Sequence, residues 1–359
     1  MKTNLLMLFA SSTLFLFFNS SFAQNFQNQY KGVLSQLYFE RQPDPKSEAM
    51  GRGMSANSET DFGSYYNPAL SSLGKGVNFH LSHTYQHKKN SDYDYIGISY
   101  NNVKTGGFSI SKYNWAYGRT EGDNARFHNS IHTLNYSRDI GKDCYAGVNL
   151  NLVHMGFVRQ YMFFEESGYD QKSSDAFSID IGFLKKLVLE SSSQNENLKV
   201  LQFGAAVYNV TGSVIRNKNT DDYYETLPII LRLGMSYNLK LLDEEIKAKS
   251  TEFQSFTHFE LESILNGSDN PIFKLGQEFI ISDLLILRGG LSTSGVDKSH
   301  YINSNDPSVT FGAGFKIGVN NFLKSADRAT FVLDCAGPSP TSIRDNFYLF
   351  SLKINYIPN

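Results

Sequence analysis

Tryptophan occurs once in this chain of 359 residues and cysteine twice. Two cysteines, Cys144 and Cys335, are too few for a small disulfide framework. Beyond the first two dozen residues no run approaches about eighteen consecutive apolar residues, so no helix is available to cross a membrane. The net charge of −2 offers neither a nucleic-acid surface nor a polybasic membrane patch. Catalytic signatures are missing as well. There is no Gly-x-Ser-x-Gly elbow, no His-Glu-x-x-His, no phosphate-binding Gly-x-x-x-x-Gly-Lys and no Cys-x-x-Cys. Gly51-Arg52-Gly53 has no third glycine at dinucleotide spacing and follows no strand pattern. The chain therefore reads as a non-enzyme that needs no cofactor.

Aromatic residues are what the sequence has in quantity: 28 Phe and 21 Tyr, in a chain whose mean hydropathy is negative. Alternation reconciles the two. Val77, Phe79, Leu81 and Tyr85 interleave with Asn78, His80, Ser82 and Thr84. The same period of two recurs at Phe177, Ile179, Ile181 and Phe183, at Val309 to Ile317, and at Tyr348 to Tyr356. Such a period means strands with one apolar and one polar face. Fourteen segments can be counted, beginning near Val77, Tyr93, Gly107, Phe127, Cys144, Ala176, Lys199, Pro228, Phe253, Pro271, Leu284, Ser308, Thr330 and Phe347.

An even count of long alternating segments predicts an all-β, antiparallel transmembrane barrel. Connection lengths agree. The outer candidates 115–126, 155–174, 211–227 and 292–307 are long and polar, whereas the inner candidates 101–105, 139–143 and 281–283 are short. Residues 241–252 are a long inner exception that could be a short helix, and 266–270 a short outer one. The alternative is a secreted sandwich, but sandwich strands average about five or six residues. These run nearer the nine to eleven or so that a tilted strand needs to cross hydrocarbon. Tyr93 with Tyr95, Tyr113 with Trp115, and Tyr356 fall at segment ends, where they would suit an aromatic girdle at the lipid interface.

The N-terminus sets the compartment. Lys2 precedes an apolar core over 5–18 and a Ser21-Phe22-Ala23 exit, so residues 1–23 read as a secretory signal peptide cleaved before Gln24. Residues 24–75 then precede the barrel at 76–359. Within them, 50–76 is rich in Gly, Ser and Asn and has no apolar period, as a linker or a folded plug would.

Three further features bear on chemistry. His258, Glu260 and Glu262 share one strand face, where they could meet a divalent ion or simply wet a polar lumen. The lumen is the expected role, and no metal site is expected. His80 and His83 fall on opposite faces. Cys144 and Cys335 share parity with apolar neighbours in the fifth and thirteenth segments, which predicts two free, lipid-facing thiols.

Gly51-x-Gly53, then Asp61, then Tyr66-Asn67-Pro68-Ala69-Leu70 precede the first segment. This order resembles the N-terminal region of the FadL-like outer-membrane superfamily, closest to its PorV/PorQ branch associated with type IX secretion. The runs 204–210 (GAAVYNV), 227–234 (LPIILRLG), 287–290 (LRGG) and 311–315 (FGAGF) look like later strands of that family. The ending departs from many such barrels, because Tyr356 is followed by Ile357, Pro358 and Asn359. The resemblance implies a fourteen-stranded barrel in the bacterial outer membrane, with the N-terminal segment inside as a hatch carrying Gly51, Gly53, Asp61, Asn67, Pro68 and Ala69. It implies two candidate tasks. One is a secretion accessory that binds the C-terminal domains of exported cargo and other secretion components. For it, Met162, Phe163 and Phe164, with Tyr223 and Tyr224, would anchor the partner in otherwise polar outer loops. The other is FadL-type passive transport of a hydrophobic small molecule. The partners expected are outer-membrane lipid and either cargo or a hydrophobic ligand.

Overall fold

The computed structural model describes residues 42–58, 62–86, 91–102, 104–118, 124–163, 166–191, 198–216, 224–241, 253–265, 271–282, 284–293, 308–318, 328–338 and 347–357. The signal-peptide reading, the first part of the hatch, Asp61, Phe164, Tyr223 and the 242–252 connection lie outside them.

Fourteen antiparallel strands close into one barrel. In chain order they are β1 (Gly76–Gln86), β2 (Ser91–Asn102), β3 (Gly106–Gly118), β4 (Asn124–Gly141), β5 (Cys144–Phe163), β6 (Glu166–Ser191) and β7 (Leu198–Tyr208), followed by β10 (Ile230–Leu241), β11 (Phe253–Ile264), β12 (Ile272–Ile281), β13 (Leu285–Ser292), β14 (Ser308–Gly318), β15 (Arg328–Pro338) and β16 (Phe347–Ile357). Two short strands, β8 (Val214–Arg216) and β9 (Tyr224–Thr226), form a separate hairpin between β7 and β10. Closure runs from β1 to β16, with Val77 opposite Tyr356 and Gln86 opposite Phe347. No open edge is left, which hydrocarbon requires because nothing there can satisfy an unpaired strand.

The outer connection expected over 155–174 is not a loop. β5 and β6 continue through it as a hairpin ribbon that keeps register to Phe163 opposite Glu166. β6 therefore begins well before Ala176. Alternation weakens there, but cross-strand backbone pairing does not need it. The 211–227 connection likewise holds the β8–β9 hairpin.

Outward residues form an apolar belt that includes Leu233, Met235, Phe259, Leu287, Phe311, Phe315, Leu333 and Leu352, all exposed. A closed barrel wearing such a belt has the arrangement of a membrane-spanning one. Both cysteines are free; Cys335 is exposed in β15, and Cys144 opens β5 half-buried.

The belt is not uniform around the barrel. Along β1–β6 the polarity of both faces reverses. On the inner half the outward row Phe79, Ile98, Ile110, Leu134, Leu150, Ile179 is apolar, and the lumenal row Asn78, Ser99, Ser109, Asn135, Asn149, Asp180 is polar. Toward the outer end the outward row becomes His83, Asp94, Asn114, Ser130, His154, Asp175, and the lumenal row becomes Ser82, Tyr95, Tyr113, Ile131, Val153, Ala176. Tyr93, Tyr95, Tyr113 and Trp115 are buried inside the barrel and are not an interfacial girdle; Tyr356 alone of that set is exposed outward. The reversal marks the level at which the wall passes from hydrocarbon to water, since a polar outside over an apolar inside is the pattern of a strand in water.

Leu287 sits within the apolar belt on β13, between Leu285 and Leu291. Leu287→Arg should weaken insertion by about 2–4 kcal/mol, read from folding titrations into phospholipid vesicles. The same change at the outer, already polar row, at Asn114, should cost far less.

Candidate functional site

The lumen is occupied by the chain's own N-terminal segment. Residues 42–58 and 62–70 are almost wholly buried and hydrogen-bond to lumenal side chains, and 71–75 emerge progressively toward β1. Local chemistry shapes the first turn, α1 (Pro45–Ala49). Asp44 caps it by accepting from the Lys46 amide at 2.9 Å, and Pro45 takes the first position, where no amide is needed. Gly51 ends it at φ 71°, and its Cα lies against the Leu291 and Leu275 carbonyls, where a side chain has no room. Gly53 also passes close to the wall, since a Cβ there would sit 3.0 Å from the Glu260 and His258 side chains. A second turn, α2 (Gly63–Tyr66), leads into a 3-10 turn, Pro68–Ser72.

Asn67 joins the pieces. Its amide donates to the Ser55 carbonyl at 2.7 Å and to the Phe183 carbonyl of β6 at 2.9 Å, while its Oδ1 accepts from the Ala69 amide at 3.0 Å. One side chain therefore ties the two halves of the plug to each other and to the wall. Beside it the Pro68 carbonyl accepts from Asn135 at 3.0 Å, and Ala69 is fully buried. Asn149 and Asn101 donate to the Ser64 and Ser71 carbonyls, each at 2.9 Å.

Across the lumen the contacts are ionic. Glu260 accepts from the Met54 and Ser55 amides at 3.0 and 2.8 Å. Lys274 reaches Glu260 at 3.1 Å, Glu262 at 2.7 Å and the Arg52 carbonyl at 3.2 Å. Arg232 pairs with Glu262 at 2.6 Å and donates to the Tyr208 hydroxyl at 3.1 Å, which in turn donates to the Tyr66 carbonyl. A second group links the plug's Lys46 to Glu278 at 2.8 Å, Glu278 to Arg288 at 2.6 Å and Arg288 to Asp334 at 2.8 Å. The two sets balance in charge, as burial demands.

Glu260 and Glu262 thus do not wet an open lumen; they are dry and paired. Among the described residues no cluster of His, Cys, Asp and Glu is suited to a metal ion. His80 is buried in the lumen and His83 exposed outside, on opposite faces. Sequence reasoning missed Arg232, Lys274, Glu278, Arg288 and Asp334. Their signal was charge at lumenal parity on neighbouring strands, which becomes a cluster only once register is known.

Aromatic contacts seal the β1–β5 side. Phe62 meets Tyr95 edge-on at 4.8 Å and His80 at 5.1 Å, and Tyr65 meets Tyr113 at 5.7 Å. Outward of them Tyr93 stacks on Trp115 at 6.1 Å. A polar cavity of about 240 Å³ remains on the inner side, bordered by Ser64, Ser71, Asn78, His80 and Asn355. Met162 and Phe163 fall in the β5 ribbon and Tyr224 in β9.

Burial and the neighbouring Asp334 raise the Asp44 carboxyl to about 6, above its ordinary 3.8. An acid raised on docking stabilises the docked state fully below its ordinary value and loses that contribution as pH rises through the raised one.

No family model matches the chain, and no curated protein matches it. Solved structures similar in overall shape include the toluene transporter TodX of Pseudomonas putida, at 13% identity and TM-score 0.45, covering 89% of this chain and 97% of that one. The Ralstonia pickettii toluene transporter TbuX is 11% identical at TM-score 0.44, covering 87% and 97%. A Pseudomonas aeruginosa FadL homologue is 7% identical at TM-score 0.42, covering 88% and 98%. At such identities and scores neither a substrate nor a residue's role transfers.

Two outcomes are expected of the plug. Asn67→Ala leaves the Ser55 and Phe183 carbonyls without their donor, at about 1–3 kcal/mol for each buried group left unsatisfied. Single-channel conductance in planar bilayers should rise above that of the intact barrel, and a silent variant would show that Asn67 does not hold the plug. Plug docking should also weaken between about pH 4 and pH 6, and Asp44→Asn, which keeps the cap, should flatten that dependence.

Proposed function

We propose that this chain is a plugged outer-membrane channel of FadL-like type that passes hydrophobic small molecules. One observation carries the reading: beside the plug's aromatic edge and outward of it, the lumenal wall of β2–β5 is aromatic and apolar. Tyr93, Tyr95, Tyr113, Trp115, Ile131 and Val153 line it, all buried. A channel for ions or sugars needs a polar lumen. An apolar wall interrupted by few polar groups suits a hydrophobic ligand. Asn129 supplies such a group, because it lies between Trp115 and Met155 in register, is buried, and neither amide atom has a partner among the described residues. In this scheme the ligand gathers on the aromatic wall, and passage requires the plug to shift.

A second reading, a secretion accessory of PorV/PorQ type, is favoured by the β5–β6 ribbon. It continues beyond the last residues at which β4 pairs with β5, Asn124 opposite Gln160, and carries Met162 and Phe163 toward its tip. With Phe164, Tyr223 and Tyr224 these residues would anchor a cargo domain.

Deleting the protein distinguishes the two. The channel reading expects uptake of a long-chain hydrophobic compound to fall while secretion continues, with uptake restored by the wild-type chain and poorly by Trp115→Ala. Loss of secretion with uptake intact, together with cargo domains crosslinked to the ribbon in intact cells, would replace it by the second.

A further inference from the structure

The outward face of β1–β6 carries a depression of about 650 Å³, a volume in the range of ligand sites. Its floor is apolar, with Ile98, Ile110, Leu134, Leu150 and Phe177 all exposed. It lies on the membrane side of the level at which the wall's polarity reverses. At its outer limit stand Lys112 and His132, directly opposite one another across β3 and β4.

These two differ from the polar residues just beyond them. Asp94 is matched by His83 and Asp175 by His154, each at 2.7 Å. His132 contacts only the Ser130 hydroxyl, at 3.3 Å, among its described neighbours. Lys112 has no ion pair or hydrogen bond among the described residues. A lone ammonium facing lipid is costly unless it meets an anion at the headgroup level, which a long lysine can reach. An apolar trough ending in an unmatched cation is complementary to an amphiphilic anion.

We propose that this face binds a phosphate-bearing glycolipid of the outer leaflet, with acyl chains in the depression and a phosphate on Lys112 and His132. The ammonium donates to the phosphate as a charge-assisted hydrogen bond, and the imidazole adds a second donor. The bound lipid neutralises the Lys112 ammonium at the depression's outer limit and fills the apolar dent beneath it. The proposal is independent of what the lumen passes, because the site lies on the other side of the wall.

The test is native mass spectrometry of the full-length protein, delipidated in dodecyl maltoside and then incubated with lipid A in the same micelles. One lipid A should remain bound per barrel. Lys112→Gln should lower its occupancy about tenfold, as loss of one charge-assisted contact does, and Lys112→Arg should retain it. Leu134→Trp, which fills the trough and leaves the cation in place, should also displace the lipid. Heat-modifiable migration on gels shows that each variant is folded. No adduct on the wild type, or equal adducts on the wild type and both disrupting variants, would overturn the proposal. So would a second protein held at this face in place of lipid.

Discussion

Everything inside the barrel depends on one requirement: irregular backbone sealed in a lumen must find a partner for each amide and carbonyl. The plug is too short and too rich in turns to satisfy itself. The wall does it instead. Glu260 takes the Met54 and Ser55 amides, Thr310 accepts from the Gly51 amide and donates to the Ala49 carbonyl, and Ser236 donates to the Ala56 carbonyl. On the other side Asn101, Asn135 and Asn149 donate to plug carbonyls. This explains why Asn and Ser recur at lumenal positions of the inner half, where a merely wet wall could be almost anything polar.

The ionic group does something different. Arg232, Lys274, Glu260 and Glu262 lie on the wall itself, on three neighbouring strands, and would remain near one another if the plug left. Removing one member would strand its partners at roughly 3–5 kcal/mol, yet the set as a whole adds little over apolar packing. Its value is directional. The carboxylate of Glu260 faces two plug amides while its own charge is matched by Lys274, so this group holds the plug by hydrogen bonds, whereas Lys46 adds an ion pair to Glu278. Water entering the lumen would compete with those bonds on equal terms.

Much of the wall was legible in the sequence. Period two located the strands, and the order of Gly51, Asn67 and Pro68 before the first strand suggested an interior segment. What parity alone did not show was which face meets lipid. In β2 the apolar positions run Tyr93, Tyr95 and then switch to Ile96, Ile98, Tyr100; in β3 they run Phe108, Ile110 and then switch to Tyr113, Trp115. In both strands the register is unbroken, so the switch is a change of face and not a bulge. Taken as strand-end aromatics, these residues suggest a girdle; taken as a phase change, they place the aromatics inside. The β5–β6 ribbon was missed for a related reason. Once a strand leaves both lipid and core, no face needs to be apolar, and only the backbone ladder marks it.

The reversal also constrains how the molecule can work. Below it, β1–β6 present an apolar outside and a polar inside that is committed to the plug. Above it, the same strands enclose Tyr93, Trp115, Ile131 and Val153 under a polar skin of hydrogen-bonded pairs such as His83 with Asp94. A hydrophobic solute arriving from outside therefore meets an apolar interior before it reaches the plug. A folded cargo domain, in contrast, would meet the polar skin and the ribbon, and would gain nothing from the buried aromatics. The interior of the upper wall has a use in one task and is only packing in the other. Asn129 stands within that packing with neither amide atom partnered among the described residues, a burial cost that an apolar side chain would avoid.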